Sequence, residues 1–411
     1  MYYNNCVKLK ERMIQMKILV INCGSSSLKY QLINMDNDVV MAKGLVERIA
    51  IPGTNLTHRP DGKDKVVIEK DLANHAEAFK LVVDSLLNPE YGVISDMSEI
   101  NAVGHRVVHG GEYFSESVLI NDEVIEAIEK CCALAPLHNP ANLIGIRACA
   151  EVIPGVPQVA VFDTAFHQTM PKEMYMYAIP YKYYEKYKIR RYGFHGTSHK
   201  YVAGIAAKML NKPIEETKII TCHLGNGSSI TAVQGGKSLD TTMGFTPLDG
   251  LLMGSRCGSI DPAIIPFLME KEGLDAKAID KMMNKESGVE GLMEDKNDFR
   301  DIEIMGAEGH ERAQMILDMF RNQVVKYIGS YAALMGGVDA IVFTAGVGEN
   351  NKLLRATVAK QLSFMGVEID EEKNNVRGKL VDMSTPNAKV KMMLIPTNEE
   401  LAIAVETAKF V

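Results

Sequence analysis

A chain of 411 residues with 46% hydrophobic and 24% charged side chains exceeds one comfortable hydrophobic core, so a globular protein of two domains is expected. Its formal charge of −7, with Lys and Arg scattered along the chain, argues against a nucleic-acid footprint and points to small-molecule partners. Seven cysteines without a C-x-x-C spacing suggest neither a disulfide framework nor a zinc knuckle, and no apolar run nears the roughly 18 residues of a membrane span, so a reducing, cytoplasmic setting is expected with no membrane partner.

In chain order, residues 1–15 are polar, charged and without a period; they are read as a short disordered extension or a misassigned start, with Met16 as the natural first residue. Strand patterns cover 17–33, 39–46 and 65–68. A helix is expected over 74–87, a strand over 102–109, a helix over 122–133 and a strand over 158–162. Hairpin strands first, then alternating helix and strand, give a mixed sheet with crossover helices.

The same order restarts at Ile219. IITCHLGNGSSITAV repeats the design of ILVINCGSSSLKY, in which a β-branched run meets a cluster of small polar residues and then resumes alternation. Gly24, Gly225 and Gly227 let the backbone approach a ligand closely, while Ser25, Ser26, Ser27, Asn226, Ser228 and Ser229 offer short donors. Either turn alone could be an ordinary hairpin; the repetition favours phosphate binding.

Further along, apolar residues from Ile316 to Met335 mark a long helix over 311–335, closed by Gly336 and Gly337 before a strand over 338–344. A last strand over 390–395 turns at Pro396 into a C-terminal helix. There Thr397 as N-cap and Glu400 at N3 would form a capping box, which leaves Glu399 unexplained. Two phosphate motifs fail on spacing. GGKS at 235–238 has Thr231 where a P-loop needs its first glycine, and the GVGENN run after the 338–344 strand has Asn351 where a dinucleotide fingerprint needs its third. A phosphate or adenosine contact at that helix start remains expected.

Several residues carry chemistry. Arg106 ends a β-branched run and precedes two glycines, as a surface ion pair or as an anion ligand. Asp163 closes an apolar strand, to cap the next turn or face a ligand. His195 and His199 stand four apart, as do His105 and His109; without the Glu of H-E-x-x-H or a third ligand, zinc is not expected.

With these motifs laid out, the chain resembles acetate kinases, within the acetate and sugar kinase, Hsp70 and actin superfamily. The likeness runs from about Met16 to the C-terminus through VINCGSSSLKY, GHRVVHGG, PLHNP, VFDTAFH, YGFHGTSH, HLGNGSS, DFRDI, AGVGEN and TNEE. It implies an α/β fold of two RNase H-like (actin-like ATPase) domains related by duplication, with the active-site cleft between them. Their expected bounds are 16–164 plus 397–411 for the N-terminal acetokinase domain and 165–396 for the C-terminal nucleotide-binding domain. It further implies reversible, direct in-line transfer of the ATP γ-phosphoryl group to acetate, giving acetyl phosphate and ADP, with Mg²⁺ or Mn²⁺, in a homodimer.

Residue by residue, the resemblance makes Arg106 a ligand of the acetate carboxylate or the phosphoryl group, and Arg256 its partner on the transferring phosphate. Asp163 becomes the active-site carboxylate, orienting magnesium or acetate; acetate is already ionised at pH 7, so no base is required. His195 becomes a transition-state donor with His138 in support, and His199 stays structural. Asn22 and Glu399 match the magnesium positions. Lys29, His223, Leu224, Gly225, Asn226 and Gly227 match nucleotide-binding segments, as do Asp298, Phe299, Arg300, Gly346, Val347, Gly348, Glu349 and Asn350. Val108, Leu137, Phe194 and Pro247 match the small apolar substrate pocket. The loop around Arg256 departs from the family's GTRSGDIDP, with Cys257 for Ser and Ser259 for Asp. Valine at 108 favours acetate, with propionate or short-chain fatty acid kinase as the alternative. A non-catalytic ATP-binding module is the remoter one, since no residues remain for a chaperone's peptide-binding domain and an actin-like protein does not require Arg106, His195 and Arg256.

Overall fold

The computed structural model describes residues 16–294 and 296–411, so the reading of residues 1–15 lies outside them. Contacts divide the chain into two compact units, residues 16–165 with Glu399–Val411 and Phe166–Asn398. No helix of the described residues is long and apolar enough to cross a membrane.

The first unit is built on an eight-stranded sheet ordered β5-β4-β3-β2-β1-β6-β8-β7. Its strands are β1 (Lys17–Cys23), β2 (Ser27–Asn34), β3 (Val39–Glu47), β4 (Asn55–Pro60), β5 (Val66–Glu69), β6 (Ala102–Val107), β7 (Val118–Leu119) and β8 (Gln158–Phe162). The first five form an antiparallel meander, whereas β6 runs parallel to β1 and β8 parallel to β6. Successive residues of a strand face opposite sides of the sheet. On β1, Leu19 and Ile21 enter the core with Phe79, Val82 and Cys149, from helices α1 (His75–Leu86) and α3 (Asn139–Val152). Ile18 and Val20 pack with Ile403 and Ala404 of the C-terminal helix, Glu399–Thr407. Both faces are covered, which is why KILVINC is almost continuously apolar. The helix expected over 122–133 is α2 (Asp122–Lys130), capped by Asn121, and then tightens into a 3₁₀ turn over Cys131–Ala133.

The second unit has a six-stranded sheet ordered β11-β10-β9-β12-β14-β13. It comprises β9 (Lys218–Leu224), β10 (Ser228–Gln234), β11 (Lys237–Thr241), β12 (Ala340–Thr344), β13 (Val381–Asp382) and β14 (Lys391–Leu394). Here β9 pairs with β10 as an antiparallel hairpin and with β12 in parallel, as β1 pairs with β2 and β6. The duplicated design read from the sequence is thus present in both sheets. Helix α4 (Gly196–Met209) covers one face through Val202, Ala203 and Ala206, packed with Ile219 and Val342. Ile316, Phe320, Val324 and Ile328 of α7 (Glu311–Leu334) join a separate core with Ile220 and Ile341. Between these helices come α5 (Ile264–Glu272) and α6 (Phe299–Ala307); α8 (Ala345–Asn350) and α9 (Lys352–Gln361) follow β12.

One reading holds and two are corrected. The GGKS run is the β10–β11 turn, with Gly235 and Gly236 both at positive φ (57° and 74°), the backbone of a two-residue hairpin. The capping box at 397–400 is not made. The Thr397 N–H donates to Glu349 Oε1 at 3.2 Å and its hydroxyl bonds Ser198 Oγ, while the Glu400 carboxylate pairs with Lys29. Each group that the local motif required is claimed by a partner far away in sequence. The strand expected from 338 begins at Ala340 because Asp339 is used to tie the turn, accepting from Lys218 N at 2.8 Å.

Candidate active site

In the first unit, Arg106 lies on β6, Asn22 near the end of the parallel β1, and Asp163 directly after β8. Carboxyl ends of adjacent parallel strands are where α/β sheets present ligand groups. Arg106 donates twice to Asp163, from Nε to Oδ1 at 3.1 Å and from Nη2 to Oδ2 at 2.5 Å. The Asp163 side chain is 4% exposed. Burial pushes its carboxyl pKa up, the Arg106 guanidinium opposes that, and the charge of Glu399 raises it further. Arg106 is itself raised, first by Asp163 and also by Glu399 and Glu400. The first turn of the C-terminal helix therefore faces this pair. Lys29 is half exposed and bound to Glu400, which places it with these residues in the first unit.

The loop after β6 is fixed by two buried asparagines of α3. Asn142 Oδ1 accepts from Val108 N at 3.0 Å and its amide donates to the Cys23 carbonyl at 3.0 Å. Asn139 Oδ1 accepts from His109 N at 3.1 Å and its amide donates back to His109 O at 2.9 Å. Val108 is buried, whereas Leu137 is 68% exposed within its unit. His138 heads α3 and acts electrostatically on Asp163.

Oxygen ligands for a cation are present. Among the described residues no three His, Cys, Asp or Glu side chains gather into a metal cluster. Asn22 with the mutually repelling Asp163 and Glu399 fits instead a hard ion that keeps several waters and takes the rest of its shell from a substrate phosphate. A cation there would relieve the repulsion that raises Asp163.

In the second unit, His195 heads α4 in the left-handed region (φ 57°), a strained conformation for a residue with a side chain. Its Nδ1 bonds Ser229 Oγ at 2.9 Å and its ring stacks on His223 with centroids 4.1 Å apart. A Cβ added to Gly227 would lie 3.6 Å from His195 Nε2 and 3.5 Å from Arg256 Nη1. The missing side chain of Gly227 thus opens a space that both cationic or donor groups reach. Arg256 Nη1 donates to the Pro247 carbonyl at 3.2 Å, and no carboxylate pairs with it among the described residues. Burial alone lowers its pKa; a partly buried guanidinium without a carboxylate partner suits an anionic ligand. The two substitutions beside it are absorbed. Ser259 Oγ donates to Asp249 at 2.6 Å and accepts from Gly250 N at 3.0 Å, and the Cys257 thiol donates to the Gly258 carbonyl. Phe194 is buried, and its carbonyl bonds His167 Nε2.

The turn carrying Gly227 leads into a pocket of about 620 Å³. Gly225 and Asn226 line it with Asp298, Phe299 and Arg300 at the start of α6 and Gly346, Val347 and Asn350 of α8. Its size suits a nucleoside-sized ligand. Asp298 caps α6 by accepting from Arg300 N at 2.9 Å and pairs with the Arg300 guanidinium, which holds its carboxyl below the usual range. His223, Leu224, Gly227, Gly348 and Glu349 lie outside the lining. Glu349 accepts from the Ala345 and Thr397 N–H groups, and the Gly348 carbonyl accepts from Arg355 at 2.9 Å.

A sequence model of the Acetokinase family matches residues 17–405. The chain belongs to the acetokinase family. It is 63% identical over 397 residues to the acetate kinase of Thermoanaerobacter pseudethanolicus, covering 96% of this chain and 99% of that protein. The acetate kinase of Alkaliphilus metalliredigens is 61% identical over 396 residues, with 96% and 100% covered. Among solved structures, Porphyromonas gingivalis acetate kinase matches with a TM-score of 0.93 at 48% identity, with 96% and 99% covered. A propionate kinase from Francisella tularensis matches at 0.89 and 44%, with 96% and 100% covered.

To the acetokinase residues read from the motifs, the structure adds Glu303, Asn351 and Arg377 in the pocket wall, with Asn351 donating to Glu303 at 2.6 Å. It also adds Ser229, which bonds His195, and the fully buried Arg355. Glu303, Ser229 and Arg355 sit on helices or strands whose periodicity explains them as ordinary positions, while Asn351 and Arg377 lie in connecting segments. Ser229 alone had a signal, in the polar cluster of its turn.

Proposed function

We propose that the chain acts as an acetate kinase, transferring the γ-phosphoryl group of ATP to a carboxylate oxygen of acetate. The observation that carries this reading is the convergence of His195 Nε2 and Arg256 Nη1 on the space beside Gly227, in a chain of the acetokinase family. Two donors aimed at one oxygen-sized space suit the charge that spreads over a transferring phosphoryl group. Asp163 engages Nε and Nη2 of Arg106, which leaves Nη1 for a substrate carboxylate and holds the guanidinium plane fixed. The acetate oxygen forms the new P–O bond as the bond to the ADP oxygen breaks, and no proton moves. The 225–226 turn, the 298–300 helix start and α8 hold the nucleotide. Asn22, Asp163 and Glu399 would hold Mg²⁺, or Mn²⁺ in its place, which neutralises charge on the ATP phosphates.

Buried Val108 supports acetate as the preferred acceptor, since a pocket discriminates one methylene by about 1–3 kcal/mol. The likeness to the Francisella tularensis propionate kinase favours propionate as a slower second substrate. A cytoplasmic homodimer is supported by the free cysteines and by α5, which buries none of its residues within the chain and exposes Ile264 and Phe267. A coupled ADP-release assay with acetate, propionate and butyrate, each with ATP and Mg²⁺, tests the reading. Acetate should give the highest kcat/KM, and inactivity with all three would overturn it.

A further inference from the structure

His199, read from the sequence as structural, is part of a chain of short polar contacts that ends on His195. His199 is fully buried. Its Nδ1 lies 2.7 Å from Thr221 Oγ1, its Nε2 lies 2.8 Å from Ser229 Oγ, and Ser229 Oγ lies 2.9 Å from His195 Nδ1. Burial, with the His167 and His223 rings nearby, holds His199 well below the usual imidazole range, so it is neutral and has one donor nitrogen and one acceptor nitrogen. Ser229 and Thr221 are also fully buried, and each hydroxyl has a single proton to give. Ser229 Oγ bonds only His199 and His195 among the described residues, so its own proton must go to one of them and the protons of the chain run one way.

Only two directions exist. If His195 carries its proton on Nδ1, its Nε2 lone pair faces the space beside Gly227 and repels a phosphoryl oxygen there. In the other direction Nε2–H points into that space. The competing acceptor for the Thr221 hydroxyl, the Thr231 carbonyl, is 3.5 Å away, at the edge of hydrogen bonding. Leaving that contact unmade costs little.

We propose that Thr221, His199 and Ser229 are positioning residues that fix the tautomer of His195. Thr221 Oγ–H donates to His199 Nδ1, His199 Nε2–H donates to Ser229 Oγ, and Ser229 Oγ–H donates to His195 Nδ1, which places the His195 proton on Nε2. The groups facing His195 include His199 on its own helix, His223 and Ser229 from the β9–β10 hairpin, and Arg256 from the 253–259 loop. The wire lets a neutral imidazole donate beside Arg256 without a second cation in the same space. This inference rests on the reading of His195 as a phosphoryl donor.

Ser229→Ala removes the donor to Nδ1 and frees the neutral ring to populate both tautomers. The imidazolium form carries a proton on Nε2 regardless. The kcat of Ser229→Ala should therefore fall by at least about twofold at pH 8, where two tautomers share the neutral ring, and the deficit should shrink as pH falls and the imidazolium form grows in. A loss of packing alone would give a constant ratio. His199→Gln, whose amide can donate at the Nε2 position, should retain more activity than His199→Leu. Nitrogen-15 NMR of histidine-labelled wild-type protein reads the same state without turnover and without a variant that must fold. Neutral His195 should show a protonated Nε2 and an unprotonated Nδ1. A protonated Nδ1, or a Ser229→Ala deficit that is constant with pH while His195→Ala is strongly impaired, would overturn the wire. Full activity of His195→Ala would instead overturn the role of His195 itself.

Discussion

Gly227→Ala tests the site with the smallest possible perturbation. The new methyl would sit 3.5 Å from Arg256 Nη1 and 3.6 Å from His195 Nε2 and Cε1. These are ordinary van der Waals distances, and Gly227 is absent from the positive-φ residues, so the variant should fold. Replacing glycine where alanine fits even stabilises by about 0.4–1 kcal/mol through the unfolded chain. The ligand fares differently. A phosphoryl oxygen must come within about 2.7–3.1 Å of its donors, and the methyl fills that approach to both. Loss of one such donor costs about 10²–10³ in kcat, or about 2.7–4 kcal/mol, so kcat should fall at least about 100-fold. The measurement is acetyl phosphate formation trapped as the hydroxamate, alongside thermal unfolding. An unchanged Tm with nearly normal kcat would refute the claim that His195 and Arg256 act on one oxygen through this space.

Arg106→Ala and Arg256→Ala should each lower turnover by two or more orders of magnitude with far-ultraviolet circular dichroism intact; near-normal synthesis of acetyl phosphate in either would remove its assigned role. Glu399→Ala should move the magnesium titration of activity to higher concentration, and an unchanged titration would exclude Glu399 from the metal shell. Val108→Ala should raise kcat/KM for propionate relative to acetate by about tenfold, read in the same coupled assay. Burial pushes His105 and His167 down to about 4 from 6.5. The native state then binds fewer protons than the unfolded chain between these values, so stability is fully present above about pH 6.5 and is lost as pH falls towards 4. Each histidine should contribute up to about 1.4 kcal/mol per pH unit; denaturant unfolding that is flat between pH 7 and 5 would contradict this.

Much of the fold was legible because β1 and β9 carry it locally. An unbroken apolar run before a polar turn specifies a strand buried on both faces, and the repeat of that design specifies two sheets. β4, β7, β11 and β13 were not legible. β7 and β13 have two residues each, and β4 (NLTHRP) and β11 (KSLDT) are polar strings that become strands only through their neighbours. The site divides in the same way. Arg106, Asp163, His195 and Arg256 announce themselves as charged or titratable residues in glycine-flanked or strand-end settings. Asn139, Asn142, Ser229 and Glu303 act through partners that folding alone brings close. The failed capping box carries the same lesson: Thr397, Glu349, Lys29 and Glu400 form bonds whose sequence separation hides them from any local pattern.

The helix Glu399–Thr407 has a consequence for synthesis. Ile403 and Ala404 pack with Ile18, Val20, Val159 and Val161, so the first sheet to leave the ribosome keeps one apolar face uncovered until nearly all of the chain has been translated. At about 5–20 residues per second, the wait for the intervening unit, Phe166–Asn398, lasts on the order of 10–50 seconds. Through that interval the nascent N-terminal sheet offers its bare face to chaperones or to neighbouring chains. Ribosomes stalled before residue 399 should accordingly hold an aggregation-prone half, protected once the last turns of helix emerge and dock.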